Sequence, residues 1–282
     1  MSGAMKSSLF DRFRSIAYQQ AGIRLSDGKR TLVAARVGRR LRALGIPDHA
    51  SYLDYLEADT SGDELVHFLD AISTNFTSFY REPDHFELLA AHLRERLDAG
   101  QRKIRIWCAA SSSGEEPYSI AITVREICGD DVDVMVLATD ISTRMLERAR
   151  AGVYDRKRID PVPTPILARY FERRGRHRSE DERFVVRDSL RQLVVLKRLN
   201  LARPPYPMHG PLDFIFIRNV LMYFDNAVLA RISKEIVRLL HPTGFAVVGH
   251  SETLSGVAPQ LLAASPSVYQ LVSSARPQAR RC

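Results

Sequence analysis

The first quarter of the chain carries apolar residues at the spacing of an amphipathic helix. In residues 28–45, Val33, Val37, Leu41 and Leu44 recur every three or four positions, and the segment ends at a glycine, a common helix stop. The same period predicts three further helices, at 7–22, 50–58 and 62–73. No strand-length pattern occurs before residue 100. We therefore expect an all-helical domain over residues 1–72.

The rest of the chain changes to short apolar, β-branched runs separated by helical segments. The strand-length runs lie at 103–109, 132–140, 192–201, 212–220, 244–250 and 267–272. The helical segments lie at 116–128, 141–152 and 226–240. Apolar strands that alternate with helices predict a doubly wound, parallel α/β sheet covered on both faces. Residues 172–191 are too charged for this sheet, so we expect an inserted excursion there.

Composition restricts the class of protein. The 282 residues are 45% hydrophobic and 26% charged, which is ordinary for a globular protein. No run approaches the ~20 apolar residues of a membrane helix, and the first residues lack the apolar core of a signal peptide. Cys108, Cys128 and Cys282 form no C-x-x-C pair, which argues against a disulfide framework and a zinc site. We expect a cytoplasmic protein without membrane insertion.

The net charge of +8 suggests a nucleic-acid partner until its distribution is considered. Residues 24–42 hold seven basic residues and one acid, whereas residues 48–70 hold seven acids and no lysine or arginine. Aromatic side chains, on which single-stranded nucleic acids stack, are missing among the arginines. The bipolar pattern therefore disfavours nucleic acid as the partner.

The segment CAASSSGEEPYSIA, residues 108–121, has the outline of a strand, a small-residue turn and a helix start. Such turns bind phosphate at the helix N-terminus, but Gly114 is the only glycine in this turn and no Gly-Lys-Ser/Thr follows. Glu115 and Glu116 would repel a pyrophosphate and favour a cation. The turn therefore predicts a nucleoside-like cation without phosphate, and S-adenosylmethionine fits. The alternative is that these residues cap the helix that follows. Either Ser113 and Glu116 form a capping box, or Glu116 is the N-cap before Pro117.

The next predicted strand also ends at an acidic residue. Asp140 ends the run 132–140, where nucleotide-binding folds place an acid for the ribose hydroxyls. The local sequence supports equally well an N-cap for the helix that follows.

Eight ordered blocks resemble the chemotaxis receptor methyltransferases, the CheR family. They lie at 73–89, 111–121, 138–142, 146–155, 169–171, 199–201, 214–225 and 248–252, over nearly the whole chain. The resemblance implies methyl transfer from S-adenosylmethionine to glutamate side chains on the cytoplasmic helices of chemoreceptors. It also implies a Rossmann-like methyltransferase domain over 87–282 with a small antiparallel β-subdomain near 172–191, joined by a linker over 73–86 to the N-terminal helical domain.

The resemblance further implies the residues of the site. The linker would supply Asn75, Thr77 and Arg81 to the cofactor. The remaining cofactor contacts would be Glu116, Asp140 at the ribose, Asn200 and Leu201 beside the adenine, and Arg218 and Asn219. Arg81 and Tyr223 would face the substrate carboxylate. From the pattern alone, Tyr223 is a core aromatic and Arg81 a solvated residue.

Both reactants of the implied methyl transfer are already in their reactive forms. A glutamate carboxylate, with a pKa of ~4.3, is already ionised at neutral pH, and a methyl sulfonium is already an electrophile. We therefore expect neither a general base nor a metal. Arg36, Arg39 and Arg40 share one helix flank that could dock an acidic receptor helix; the alternative is a solvated basic face. We expect a monomer that is recruited to receptor arrays.

Several other features of the sequence suggest different chemistry. The RPPYP segment at 203–207 lacks the acid or amide of amino-group methyltransferases, so we interpret it as a rigid turn. His250, Ser251 and Glu252 are adjacent and cannot form a catalytic triad; a packing role is expected for His250. The rival functions are a nucleic-acid methyltransferase and a non-catalytic scaffold that binds the cofactor.

The excursion at 172–188 departs from relatives whose β-subdomain grips a receptor tail peptide. It has one glycine, Gly175, and then a charged loop. The charges expected to be exposed on this loop are Arg176, Arg178, Glu180, Asp181 and Glu182. Exposed charges at a sheet edge discourage strand addition. We predict that this chain does not depend on a tail-peptide tether, although RFVVRD, residues 183–188, should still form a strand.

Overall fold

The computed structural model describes residues 5–73, 75–176 and 180–272. Its N-terminal helices are α1 Ser7–Ala21, α2 Arg30–Leu44, α3 His49–Ala58 and α4 Asp63–Ile72. The four helices predicted there are confirmed to within a few residues. α1 and α2 end at Gly22 and Gly45, which cap them at φ of 68° and 70°. The apolar faces of the helices meet in one core around Phe13, Tyr52 and Phe68.

The remaining helices and strands follow in chain order. They are α5 Asp84–Asp98, β1 Lys103–Ala109, α6 Glu115–Cys128, β2 Asp133–Asp140, α7 Thr143–Ala151, β3 Val153–Asp155, α8 Arg156–Ile159, α9 Thr164–Tyr170, β4 Phe171–Arg174, β5 Arg183–Val186, α10 Asp188–Arg191, β6 Val194–Arg198, β7 Leu212–Ile217, α11 Asn226–Leu239, β8 Leu240–Val247, β9 Leu261–Ser265 and β10 Val268–Leu271. None of the helices in these described ranges is long and apolar enough to cross a membrane.

The large sheet has the order β6-β2-β1-β7-β8-β10-β9. Its first five strands are parallel, and β10 runs antiparallel to β8 and β9. α5 and α6 pack on one face through Leu89 and Ile120, while α11 packs on the other through Ile232 and Ile236. The predicted fold class is confirmed. The carboxyl ends of the central parallel strands meet at one edge, where ligands bind in such sheets.

Some elements differ from the sequence prediction. α5 was missed because its start lies in the predicted linker. β9 was missed because it is an outer strand whose residues after Leu261 are all exposed, so it lacks an apolar alternation. The predicted strand 192–201 shortens to β6, and the predicted strand 244–250 begins earlier, at Leu240. The division into 1–72, 73–86 and 87–282 stays a prediction.

The charged excursion contributes to a second sheet. β3, β5 and β4 form an antiparallel sheet in that order, and β5 is the predicted strand in RFVVRD. Gly175 has a φ of 84°, and a Cβ there would lie 2.5 Å from the carbonyl oxygen of Asp181. Arg176, Glu180 and Asp181 are exposed as expected.

Two of the five charged residues predicted to be exposed on this loop, Glu182 and Arg178, are not among those found exposed. Glu182 was expected to be exposed but is buried, and its inward-facing carboxylate lies 3.5 Å from Nε of Arg156, whose charge offsets the cost of burying it. Arg178 lies outside the described residues. The exposed charge on this loop is therefore smaller than the sequence suggests.

Helix α1 and the segment after it lie against the carboxyl edge of the large sheet. The side chain of Asn200 donates to the carbonyl of Gln20 at 2.7 Å. The backbone N–H of Arg24 donates to the carbonyl of Tyr223 at 2.8 Å. The helical part thereby closes one side of the cleft at this edge.

Candidate active site

One pocket lies at the carboxyl edge of the sheet and gathers the residues predicted for cofactor and substrate. It is lined by Asn75, Thr77, Arg81, Glu116, Asp140, Asn200, Leu201, Arg218, Asn219 and Tyr223, together with Ile23 and Phe76. These residues come from the linker, from the start of α6, from the end of β2, from the segments after β6 and β7, and from the segment after α1. The structure therefore brings together all ten predicted residues, while their individual roles stay predictions.

The two glutamates of the turn have different surroundings. Glu115 is fully buried, accepts from the Ser113 hydroxyl at 2.7 Å and pairs with Arg158, so it holds the turn and does not line the pocket. Glu116 lines the pocket. The expectation that both carboxylates would favour a cation in the pocket is therefore wrong for Glu115, because its side chain is directed to Arg158 and does not line the pocket.

The capping alternatives for Glu116 are also wrong. α6 begins at Glu115, and its N-cap is Gly114 with a φ of 101°. A Cβ at Gly114 would lie 2.7 Å from the Tyr154 hydroxyl, so the tight approach requires glycine. The chain here turns sharply enough to direct Glu116 into the pocket.

Glu116 sits between a thiol and a guanidinium. Its Oε2 accepts from Arg218 Nη1 at 2.8 Å, and its Oε1 accepts from the Cys108 thiol at 3.2 Å. Burial raises the pKa of Glu116, and the positive charge of Arg218 opposes that rise. The carboxylate is thus fixed in place before any ligand binds.

Asp140 ends β2 and accepts two backbone hydrogen bonds. Its Oδ2 accepts from the N–H of Ser112 at 2.8 Å, and its Oδ1 accepts from the N–H of Ser142 at 2.9 Å. The N-cap alternative is wrong, since Ser142 caps α7 by accepting from the N–H of Met145. Burial raises the pKa of Asp140 to about 6, although the two N–H groups oppose the shift. Each oxygen keeps a lone pair for a hydroxyl.

Arg218 is the centre of a buried network that the sequence did not reveal. Its side chain is fully buried, and Nη2 donates to Glu82 Oε2 at 3.0 Å and to the carbonyl of Arg81. Asn219 has a φ of 57° and donates through Nδ2 to Glu82 Oε1 at 3.2 Å. Glu252 accepts from the backbone N–H of Asn219 at 2.6 Å. Glu82 and Glu252 thus hold the end of β7 in place.

Arg81 and Tyr223 are the partly exposed residues predicted to face the substrate, and both line the pocket. Arg81 Nη1 donates to the carbonyl of Phe76 at 3.1 Å, and its guanidinium lies 5.4 Å from the Phe76 ring. Phe76 is 70% exposed. Tyr223 is half-buried in a 3-10 turn, and Lys29 Nζ lies 5.1 Å from its ring. Because Tyr223 lines the pocket, the alternative of a core aromatic is wrong.

The comparison with known proteins decides the family. The model of the "CheR methyltransferase, all-alpha domain" matches residues 8–73, and that of the "CheR methyltransferase, SAM binding domain" matches residues 75–268. The chain belongs to the CheR methyltransferase family. It is an S-adenosylmethionine-dependent methyltransferase of the chemotaxis type.

Curated relatives in this family cover most of the chain. The chemotaxis protein methyltransferases of Salmonella typhimurium and Escherichia coli are each 40% identical over 95% of this chain, and 91% and 92% of their own lengths are covered. Chemotaxis protein methyltransferase 2 of Pseudomonas aeruginosa is 40% identical over 92% of this chain and 91% of its own length.

The arginines predicted for docking line a second groove beside the pocket. This basic groove is lined by Arg36, Arg39, Arg40, Arg144, Arg148 and Arg158, among others. Arg36 donates to the carbonyls of Ile72 and Ser73 at 2.8 Å, where it holds the end of α4. Arg40 makes two hydrogen bonds to Glu64, at 2.9 and 2.6 Å. Two of the three predicted arginines therefore also hold the helical part together, while Arg39 is exposed.

The RPPYP segment stays apart from the pocket. Tyr206 is buried, its N–H donates to Glu235 at 2.8 Å, and its hydroxyl donates to the carbonyl of Leu201 at 2.8 Å. It does not line the pocket described above. These contacts agree with the predicted turn.

His85 and His250 form a cluster with Glu82 and Asp84, and Glu82 links this cluster to Arg218. His85 is 1% exposed, and burial, followed by the charge of Arg218, lowers its pKa to about 4. His250 was expected to pack, but its side chain is 51% exposed, with Nε2 3.0 Å from Asp84 Oδ2. The two rings meet edge to face at 4.9 Å. The expected absence of a metal stays a prediction, because Glu82, His85 and His250 could together hold an ion.

Proposed function

We propose that this chain transfers the methyl group of S-adenosylmethionine to glutamate carboxylates on the cytoplasmic helices of chemoreceptors. The observation that carries the proposal is that one pocket is lined by two buried carboxylates, Glu116 and Asp140, together with an arginine and a tyrosine. The relatives that carry the name chemotaxis protein methyltransferase support it.

The pocket residues fit S-adenosylmethionine. Asp140 would accept from the ribose hydroxyls with its remaining lone pairs. Glu116 would attract the cationic amino-acid end. Arg218 has a buried Nε without a hydrogen-bond partner among the described residues, so it offers one more donor to the same ligand. Asn200 and Leu201 would flank the adenine, and the Asn200 amide is already held by Gln20.

The remaining residues would position the substrate. When bound, the cofactor supplies a methyl group on a positively charged sulfur. The substrate carboxylate would approach Arg81, whose side chain is 31% exposed, and would accept a hydrogen bond from the Tyr223 hydroxyl. Attack of an anion on a cation gives neutral products, so exclusion of water favours the reaction. A general base has no proton to remove from an ionised carboxylate.

The basic groove is the proposed contact for an acidic receptor helix. Arg39 and Arg148 are exposed in this groove, and Arg144 and Arg158 keep 49% and 43% of their side-chain surface. Complementary charge of this kind steers association. We infer that the chain acts as a cytoplasmic monomer at receptor arrays without depending on a receptor tail peptide. Titration of tail peptides into the free chain tests the last point, because low-micromolar binding of any of them would refute it.

A transfer assay with tritiated S-adenosylmethionine tests the function. We expect base-labile label on a receptor cytoplasmic fragment and none on DNA or RNA. The same assay with Asp140→Ala is the matched control and should lose most of the label. Label on nucleic acid would support the rival methyltransferase, and absence of label from the receptor fragment would support the non-catalytic scaffold.

A further inference from the structure

A group of metal-ligating side chains lies outside the residues assigned to methyl transfer. Glu82 and His85 come from the segment that starts α5, and His250 comes from the loop after β8. One ligand atom from each lies within 4.8 Å of the others. Asp84 joins them, since its Oδ2 lies 3.0 Å from His250 Nε2. Two distant parts of the chain therefore place imidazoles and carboxylates around one space.

The buried histidine of this group lacks a partner. His85 is 1% exposed, and neither of its ring nitrogens has a hydrogen-bond partner among the described residues. Glu82 Oε2 lies 3.4 Å from His85 Nδ1 but is not placed for a hydrogen bond. Leaving a buried polar group without a partner destabilises the folded state. A ligand that both side chains could bind would give one of the two ring nitrogens a partner.

We propose that Glu82, His85 and His250 form a binding site for a divalent transition-metal ion, with zinc as the best match. Imidazole nitrogen and carboxylate oxygen are the ligands of open zinc sites. Bonds of about 2.0–2.2 Å in tetrahedral geometry set neighbouring ligand atoms about 3.4 Å apart. The contact between Glu82 and His85 already has this length. Asp84 holds the ring of His250, as carboxylates hold metal-bound histidines.

The widest separation in the site, at most 4.8 Å, needs to shorten. The half-exposed side chain of His250 has room to make that movement. The proposed site contains no cysteine, so the spacing of the cysteines in the sequence could not predict it.

The ion would act as a brace. It would join the start of α5 to the loop after β8, the loop whose Glu252 holds the backbone of Asn219. Glu82 also accepts from Arg218 and Asn219, so the brace would touch the wall of the pocket without entering it. The proposed ion takes no part in methyl transfer, and its test does not depend on the proposed function.

Zinc titration of the untagged full chain tests the site. Calorimetry with a competing chelator should show one Zn²⁺ per chain. His250→Ala should weaken binding by at least about tenfold, the scale for damaged metal sites. The matched control is His92→Ala, because His92 also pairs with a carboxylate, Glu95 Oε2 at 2.8 Å, but lies outside the cluster. It should bind zinc as the wild type does.

Thermal unfolding supplies a second readout. Zn²⁺ should raise the Tm of the wild type and of His92→Ala, because an ion that binds only the folded state stabilises it. It should leave the Tm of His250→Ala unchanged. Absence of stoichiometric zinc binding, or equal affinity in the wild type and His250→Ala, would overturn the proposal. His250 is half exposed, so this variant is expected to fold even where a change at the buried His85 would not.

Discussion

The candidate pocket and the basic groove lie side by side and both collect charged residues, but their arginines differ in burial. Arg218 is fully buried between Glu82 and Glu116, whereas Arg39 in the groove is exposed. Charges in a buried, low-dielectric site interact strongly and are costly to leave unpaired. Exposed charges are screened within ~8 Å at physiological salt. The two regions should therefore respond very differently to the loss of one charge.

The largest expected difference is in stability. Arg218→Met should lower the free energy of unfolding by about 3–5 kcal/mol, because it leaves the buried Glu116 without its positive partner and removes one partner of the half-buried Glu82. Arg39→Met removes the same charge from the groove and should change stability by no more than about 0.5 kcal/mol. Urea unfolding measures both. Similar losses in the two variants would remove the distinction between the regions.

The next difference separates the two glutamates of the turn. Glu116→Gln and Asp140→Ala should each weaken binding of S-adenosylhomocysteine by about 1–3 kcal/mol, the scale for a lost hydrogen bond to a charged group. Glu115→Gln should leave the affinity near that of the wild type, since Glu115 contacts Arg158 and does not line the pocket. Calorimetry decides the point, and unchanged affinity in both pocket variants would show that the ligand binds elsewhere.

The affinity should also depend on pH through Asp140. Burial raises its pKa to about 6 in the folded chain, above the ~3.9 of an unperturbed aspartate. The carboxylate, an acceptor for ribose hydroxyls, is protonated as pH falls through about 6, so affinity should fall in the same range. Asp140→Asn should lose most of this dependence. An identical pH profile in wild type and variant would place the titrating group elsewhere.

Turnover should respond to a change at Tyr223, which lines the pocket. Tyr223→Phe should lower kcat on a receptor fragment by about tenfold, the value of one hydrogen bond to a charged group. The affinity for S-adenosylhomocysteine should stay near the wild-type value. A parallel loss of cofactor affinity would instead indicate that the ring supports the pocket wall.

The smallest expected effect lies in the groove. Arg39→Ala should raise KM for the receptor fragment by only a few-fold, because an exposed pair contributes about 0.2–1 kcal/mol, and should flatten the dependence of KM on salt. Lys103→Ala is the matched control, because Lys103 is exposed at the opposite end of β1. Equal effects of the two changes would return Arg39 to the class of solvated surface residues.

The difference between the two regions also explains what the sequence could predict. Local periodicity located the N-terminal helices and the core strands, because a buried face repeats at the period of its element. The resemblance located the ten pocket residues. Neither revealed that Glu82 and Glu252 hold the end of β7, since acids usually lie at the surface. Glu82 and Arg218 are 136 residues apart, and no local pattern links residues at that separation.

The same limit applies to residues whose neighbours come from other segments. The sequence treated Glu115 and Glu116 alike, and only the approach of Arg158 separates them. The flank of Arg36, Arg39 and Arg40 was visible from the spacing, but the contacts of Arg36 with the end of α4 and of Arg40 with Glu64 depend on tertiary packing.

Mass spectrometry of a receptor cytoplasmic fragment tests the central claim most directly. After incubation with the chain and S-adenosylmethionine, the fragment should carry methyl groups on glutamate side chains of its helices, and Tyr223→Phe should add them more slowly. Methyl groups on other residue types, or a fragment left unmodified while the chain binds S-adenosylhomocysteine, would contradict the account.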